Sequence, residues 1–352
     1  MAKMFEVFTI KGKKAKNRVV LPPMVIFDKD IKNGKMTDGV IDYYKTVAKA
    51  GCSIMVVEAT AVADNGLIQP LQLGIWDDNF INGLSALSSA AHDEGAIALI
   101  QILHAGGVAS KATTDNIVAP SNHQFGENDA RSLSVEEIEN IKKMFVEAGV
   151  RAKKAGFDGV ELHACHGYLL NQFLSHETNK RDDIYGKDKA KIVVDIIKEL
   201  RGQVGEDFII SIRMPGNDPN LATSISYAKQ FEEAGIDLFH ISVGIVPDMP
   251  NDLAYEENDK YNWIVGTGIE IKKHVNKPVI VVNGIRTPEQ ANYILEQTNV
   301  EFVALGKGYV CDLNWIEKAK TNEPVRECIN CRKCLRTTGI YNCVLDKIKS
   351  KA

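Results

Sequence analysis

The sequence predicts a (β/α)8 TIM barrel with a short cysteine-rich C-terminal tail, on three observations. Eight short, β-branched apolar runs recur along the 352 residues, each bounded by turn or polar residues and followed by a stretch of helical periodicity. The runs are continuously apolar rather than alternating, as strands buried on both faces are, and the helices between them supply the crossovers that parallel neighbours need. Polar residues gather at the C-terminal ends of the runs, where a barrel of this kind builds its active site. An open doubly wound sheet shares the first two features, and the third favours the barrel.

Taken in order, the first run is NRVVLPP from Asn17, which delivers Pro23 and Met24 to its end. SIMVVEA from Ser53 ends in Glu58 to Thr60, and AIALIQIL from Ala96 carries Gln101 and leads to His104. The helix before the fourth run is well signed. Ser134 and Glu137 form a capping box, and Ile138, Ile141, Phe145, Ala148 and Ala152 repeat at helical spacing until Gly156. GVELH from Gly159 then opens into His163 and His166, FIISIRM from Phe208 carries Arg213, and LFHISVG from Leu238 carries Ser242. PVIVVNG from Pro278 ends in Asn283 and Gly284, and FVALGKG from Phe302 ends in Gly306 and Lys307. The barrel is expected over residues 1–320 and the tail over 321–352.

Charge narrows the function classes. Lys and Arg number 42 against 46 Asp and Glu, and a net charge of -4 gives no broad footprint for nucleic acid or an anionic membrane. The N-terminus lacks the apolar core of an export signal and no run approaches a membrane span, so a cytoplasmic location is expected. Of seven cysteines, Cys328, Cys331, Cys334 and Cys343 crowd into the tail, which suggests metal or thiol chemistry before disulfides.

The glycine-bearing ends of the last two runs bring backbone N–H groups and Lys307 to the usual phosphate position of this barrel. Read singly, the same glycines are turn residues. Gln101 and Arg213 are long polar groups within apolar runs, and both suit a heterocycle with carbonyl oxygens and ring nitrogens, such as an isoalloxazine. The alternative for Arg213 is a structural ion pair with Asp218 or Glu58. No G-x-G-x-x-G joins a strand to a helix, which argues against a resident dinucleotide on its own domain. The stretch ELHACHGYLLNQF from Glu161 supports three readings. His163, Cys165 and His166 are a metal set lacking further ligands; or the histidines are structural; or two imidazoles hold a substrate carbonyl oxygen while the Tyr168 hydroxyl delivers a proton, the chemistry of conjugate reduction.

An ordered set of motifs then carries a resemblance over roughly residues 5 to 320: KNRVVLPPM, TDGVIDYYKTVAKAG, VVEATAV, QILHAGG, GVELHACHGYLLNQFLSHETNKRDDIYG, SIRM, VNGIRTPEQA and FVALGKG. The chain resembles the old yellow enzyme family of FMN-dependent ene-reductases. Within it, the likeness is to the bacterial branch of xenobiotic reductases and the barrel domains of 2-enoate and 2,4-dienoyl-CoA reductases. The resemblance implies that Pro23, Met24 and Val25 line the flavin, Ala59 gives it a backbone bond and Gln101 binds its pyrimidine edge. Arg213 would stabilise the anionic reduced ring, and Asn283, Gly284, Gly306 and Lys307 would hold the phosphate. His163 and His166 would bind the activating group of the substrate, Tyr168 would donate the proton, and Phe27 would form an aromatic wall. It further implies ping-pong turnover, with NADH or NADPH reducing the flavin and an α,β-unsaturated carbonyl reoxidising it, in a homo-oligomer whose geometry is not carried over.

Departures from the family pattern accompany these expectations. Val25 stands where a Thr or Cys commonly bonds the flavin, which should shift its potential and slow hydride entry. A loop is shortened to GKDK at 186–189, and Gly107 replaces an Arg, opening space near the third-strand loop. The tail's C-x2-C-x2-C-x8-C spacing suits a [4Fe-4S] cluster, a zinc ion or free thiols. A cluster would make the chain an electron-entry protein served by a ferredoxin-like partner, and a flavin-loaded redox sensor with little turnover is a further alternative.

Overall fold

A computed structural model describes residues 2–257, 260–331, 334, 343 and 345. Eight parallel strands close into a barrel: β1 Val19–Leu21, β2 Ile54–Ala61, β3 Ile97–Leu103, β4 Gly159–His163, β5 Ile209–Pro215, β6 Leu238–Ser242, β7 Val279–Val282 and β8 Phe302–Ala304. Neighbours in the barrel are neighbours in sequence, β8 closing on β1 through Val303 and Val19. Each strand begins in one of the eight apolar runs, β2 running on two residues past its run and β5 one. Continuous burial along β2, β3 and β5 is the physical reason for their unbroken apolarity.

Helices wrap the barrel as crossovers: α1 Asp38–Ala48, α2 Ile81–Asp93, α3 Val135–Lys154, α4 Lys191–Val204, α5 Leu221–Ala234, α6 Trp263–Lys272, α7 Pro288–Gln297 and α8 Trp315–Thr321. The expected capping box opens α3, with Ser134 Oγ accepting from the Glu137 N–H and Glu137 returning the bond, and its predicted apolar stripe is buried. Thr287 and Gln290 form a second box at α7, with Pro288 in its first turn.

The barrel interior is divided along its axis. Its lower part is dry, with Val20, Ile54, Leu99, Ile209, Leu238, Ile280 and Phe302 packed together and closed below by a hairpin of Phe8–Ile10 and Lys13–Ala15. Its upper part is polar, holding Gln101, Glu161, Ser211, Arg213 and His240, all buried. A small sheet of Val118–Ala119, His123–Phe125 and Asn128–Ser132 sits over the loop after β3. That sheet corrects one expectation. Gly107 does not open space: a Cβ there would lie 2.2 Å from the Phe125 ring, so the aromatic has filled the gap. Among the described residues, no helix is long and apolar enough to cross a membrane.

Candidate active site

The C-terminal ends of the strands enclose a cavity of about 540 Å3, within the range of small-molecule sites. Pro23, Met24, Val25, Ala59, Gln101, His163, His166, Tyr168, Arg213, Asn283, Gly284, Gly306 and Lys307 all line it. Phe27, at φ 49°, does not line it, and Val25 and Ile68 supply apolar wall instead.

Ala59 reaches the cavity through a bulge. The register of β2 against β3 shifts between Val57 and Thr60, and the Ala59 carbonyl accepts from Gln72 Nε2 at 2.8 Å. Glu58 in the same bulge is buried with Oε1 unpartnered, and its Oε2 accepts from the Ile26 N–H at 3.1 Å, bracing the β1 loop. Burial pushes its pKa up to about 8, so it braces that loop as a neutral acid at neutral pH. Gln101 donates its Nε2 to Glu161 at 2.7 Å, which leaves the amide oxygen as the acceptor available to the cavity.

Arg213 makes no ion pair among the described residues. Asp218 accepts instead from Asn171 Nδ2 at 2.9 Å and Glu58 from Ile26, so neither expected structural partner holds the guanidinium. Among the described residues, Arg213 Nε is buried with no partner, on a side chain that lines the cavity. A buried cation with an open donor is costly unless an acceptor arrives.

Next to it, His163 and His166 have ring centroids 5.2 Å apart, and the Tyr168 ring stands edge-on to His163 at 4.7 Å and 87°. His163 Nδ1 lies 3.9 Å from Cys165 Sγ, which leaves Nε2 as its other nitrogen. His166, held at φ 59°, contacts Ser242 Oγ through Nε2 at 2.8 Å. Burial and the nearby Arg213 charge hold both imidazoles well below the usual histidine pKa, so both are neutral donors. The ligand atoms of His163, Cys165 and His166 lie within 4.8 Å of one another, but burial pushes the Cys165 thiol up to about 12. The trio offers three ligands, one short of a closed structural zinc site.

At the opposite end, Asn283 at φ 100° and Gly284 at φ 73° turn the backbone tightly after β7. Gly306 packs close to the β1 loop, where a Cβ would lie 3.1 Å from Met24 Sδ and would push that side chain aside by a few tenths of an ångström. Lys307 Nζ donates to Asn330 Oδ1 at 2.6 Å and keeps further N–H groups for a ligand. Sequence reasoning missed Arg286 here, a second cation lining the cavity beside Lys307. The GIRTPEQ segment was its signal: Gln290 and Trp315 grip the Arg286 backbone, at 3.0 Å and 2.9 Å.

The tail meets this end. Cys328, Cys331, Cys334 and Cys343 line one small pocket with Lys307 and Asn330, and Cys311 joins them from the barrel side. Cys328 and Asn330 line the large cavity as well.

Residues 3–325 match the NADH:flavin oxidoreductase / NADH oxidase family. An NADH oxidase of Thermoanaerobacter brockii is 38% identical over 331 residues, covering 90% of this chain and 50% of its own length, so the chain spans about half of that relative. A solved complex of 2-naphthoyl-CoA reductase with 2-naphthoyl-CoA superposes with a TM-score of 0.86 at 24% identity, over 94% of this chain and 54% of that one. The old yellow enzyme homologue of Zymomonas mobilis superposes with a TM-score of 0.79 at 23% identity, over 97% of both chains. At such identities the two structures establish a shared fold.

Proposed function

From a chain that belongs to the NADH:flavin oxidoreductase / NADH oxidase family, and is thereby an FMN-dependent oxidoreductase, we propose a specific activity. It reduces activated C=C bonds, chiefly α,β-unsaturated carbonyls, with hydride from NADH or NADPH, and the two reactants occupy one cavity in turn. The observation that carries this reading is the joining of a neutral histidine pair and Tyr168 to a partnerless Arg213 in a single cavity whose far end is cationic.

The residues present fit FMN. Arg213 Nε is an open buried donor, the Gln101 oxygen is an open acceptor, and Asn283, Gly284, Arg286, Gly306 and Lys307 form a cradle for a phosphate. Val25 lines the cavity and would give the flavin an apolar contact with no side-chain hydrogen bond. Bound there, FMN supplies a ring that accepts hydride from the nicotinamide and yields it to the alkene. His163 and His166 hold the substrate carbonyl oxygen and stabilise the charge it gains. Tyr168 Oη holds the proton for the α-carbon. The catalytic barrel corresponds to residues 1–320 and the tail to 321–352.

A second cofactor is favoured by the thiol pocket. Cys328, Cys331, Cys334 and Cys343 line one small pocket, and four thiols gathered there suit a [4Fe-4S] cluster or a zinc ion, of which we take the cluster as the reading to test. A cluster there supplies one-electron transfer beside the cavity, and a ferredoxin-like partner becomes an alternative source of electrons.

An anaerobic visible spectrum with iron quantified on the same sample tests both parts. The expected result is a flavin envelope that bleaches with NADH or NADPH and returns with a simple enone, over a broad shoulder with about four irons per chain. Bound flavin that no enone reoxidises would overturn the ene-reductase reading in favour of a sensor. Absence of iron would remove the cluster.

A further inference from the structure

Below the cavity, inside the barrel, lies a polar group that the proposed chemistry leaves unused. Glu161 of β4 and His240 of β6 are fully sealed from solvent. Glu161 Oε1 accepts from Gln101 Nε2 at 2.7 Å, and its Oε2 is 2.9 Å from His240 Nδ1. The other imidazole nitrogen, His240 Nε2, has no partner among the described residues. Two more buried atoms lack partners on the strand between them: Ser211 Oγ, in register with Glu161, and Arg213 Nε, in register with His240. Buried polar groups are nearly always satisfied, so an open imidazole nitrogen on the strand next to Arg213 stands out as a place for a proton.

We infer that the Glu161–His240 pair is a proton store for the bound flavin, taking up one proton when the ring is reduced and releasing it when the ring is reoxidised. The inference rests on the FMN reading above. Hydride from a dihydronicotinamide carries two electrons and one hydrogen to the ring, which then bears one negative charge. The compensating proton comes from solvent and binds the open nitrogen of His240. On reoxidation the hydride leaves for the alkene and His240 returns its proton, while Tyr168 supplies the separate proton of the product.

Electrostatics give the direction. Burial lowers the proton affinity of His240, Glu161 raises it and Arg213 lowers it, with the net effect downward, so the imidazole is neutral beside an oxidised ring. The ionisable groups facing it are Glu161, His163 and His166 from β4 and the loop that follows, and Arg213 from β5; its register partner on β7 is the apolar Ile280. An anion settling on Arg213 cancels the repulsion that His240 feels and adds attraction of its own. At an effective dielectric near 20, a unit charge several ångströms from a titrating group changes its proton affinity by a factor on the order of 100. Such a factor is large enough to move a histidine through the neutral range. Glu161 keeps the added charge close to neutralised inside the barrel.

The test is the midpoint potential of bound FMN followed across the neutral pH range, with the near-ultraviolet spectrum of the reduced protein recorded alongside to establish that the ring stays anionic. Wild type is expected to take up two protons per electron pair. His240→Gln, and separately Glu161→Gln, should take up one, so that the slope of potential against pH halves. A purely structural role for the pair would move the potential or the stability without halving the slope. Should either variant fold poorly, protons counted with an indicator dye during photoreduction of the wild type decide the point. One proton in the wild type overturns the inference, as does a neutral reduced ring, and so does a two-proton slope that survives in His240→Gln. Failure of the underlying reading is separately visible, as protein that binds no FMN.

Discussion

The two ends of one cavity are built on opposite principles. At the end formed by β4, β5 and β6, His163, Arg213 and Ser242 are buried on strand termini, and burial and a neighbouring charge keep the histidines neutral, each with a single N–H. At the end formed by β7 and β8, Asn283, Gly284, Arg286 and Lys307 are exposed, and the shape comes from positive-φ backbone. On the proposed function, the contrast follows from what each end would have to do. Making and breaking bonds needs donors fixed in a low-dielectric setting, where each is worth more. Holding a phosphate needs N–H groups and cations, which work at the surface and tolerate small movements.

If that division is right, damage at the two ends should appear in different measurements. Tyr168→Phe should cost the most. Reoxidation of the reduced flavin by an enone should fall about 100-fold or more in stopped-flow traces, the range of a lost general acid, while reduction by NADH or NADPH stays near wild type. Equal loss in both half-reactions would break the comparison, because Tyr168 would then be shaping the whole cavity.

The double variant Arg286→Ala with Lys307→Ala should act the other way. FMN affinity, read by fluorescence titration of apoprotein, is expected to drop on the order of 10-fold through loss of charge-assisted contacts, with both half-reactions of the loaded protein little changed. A large fall in the reoxidation rate of the fully loaded variant would show that the two ends are coupled.

The sequence made one end far more legible than the other. Strand ends could be read because doubly buried strands are continuously apolar and a polar residue at their close stands out, which is how Gln101, His163 and Arg213 were found. Arg286 was not assigned, because in a surface loop a cation is unremarkable until its neighbours are known. Glu161 and His240 were visible as charges in apolar runs, but their pairing spans 79 residues and depends on barrel closure. The Phe125 contact that fills the space beside Gly107 comes from strands of two to five residues, too short to show a period.

The smallest expected effect sharpens the comparison most, because it tests a single hydrogen bond. His166 has one nitrogen on Ser242 Oγ at 2.8 Å, whereas the side-chain contact of His163 is a long one to Cys165 Sγ at 3.9 Å. If the pair acts as two donors to one oxyanion, His166 depends on Ser242 to hold its ring in place. Ser242→Ala should then weaken the binding of phenolic ligands, whose oxygen imitates the developing enolate, by about five- to ten-fold, the worth of one net hydrogen bond of about 1 kcal/mol. FMN affinity should not move, since the phosphate end is untouched. Unchanged phenol binding would mean that His163 serves the oxyanion alone and that the buried end works with one imidazole fewer than its geometry presents.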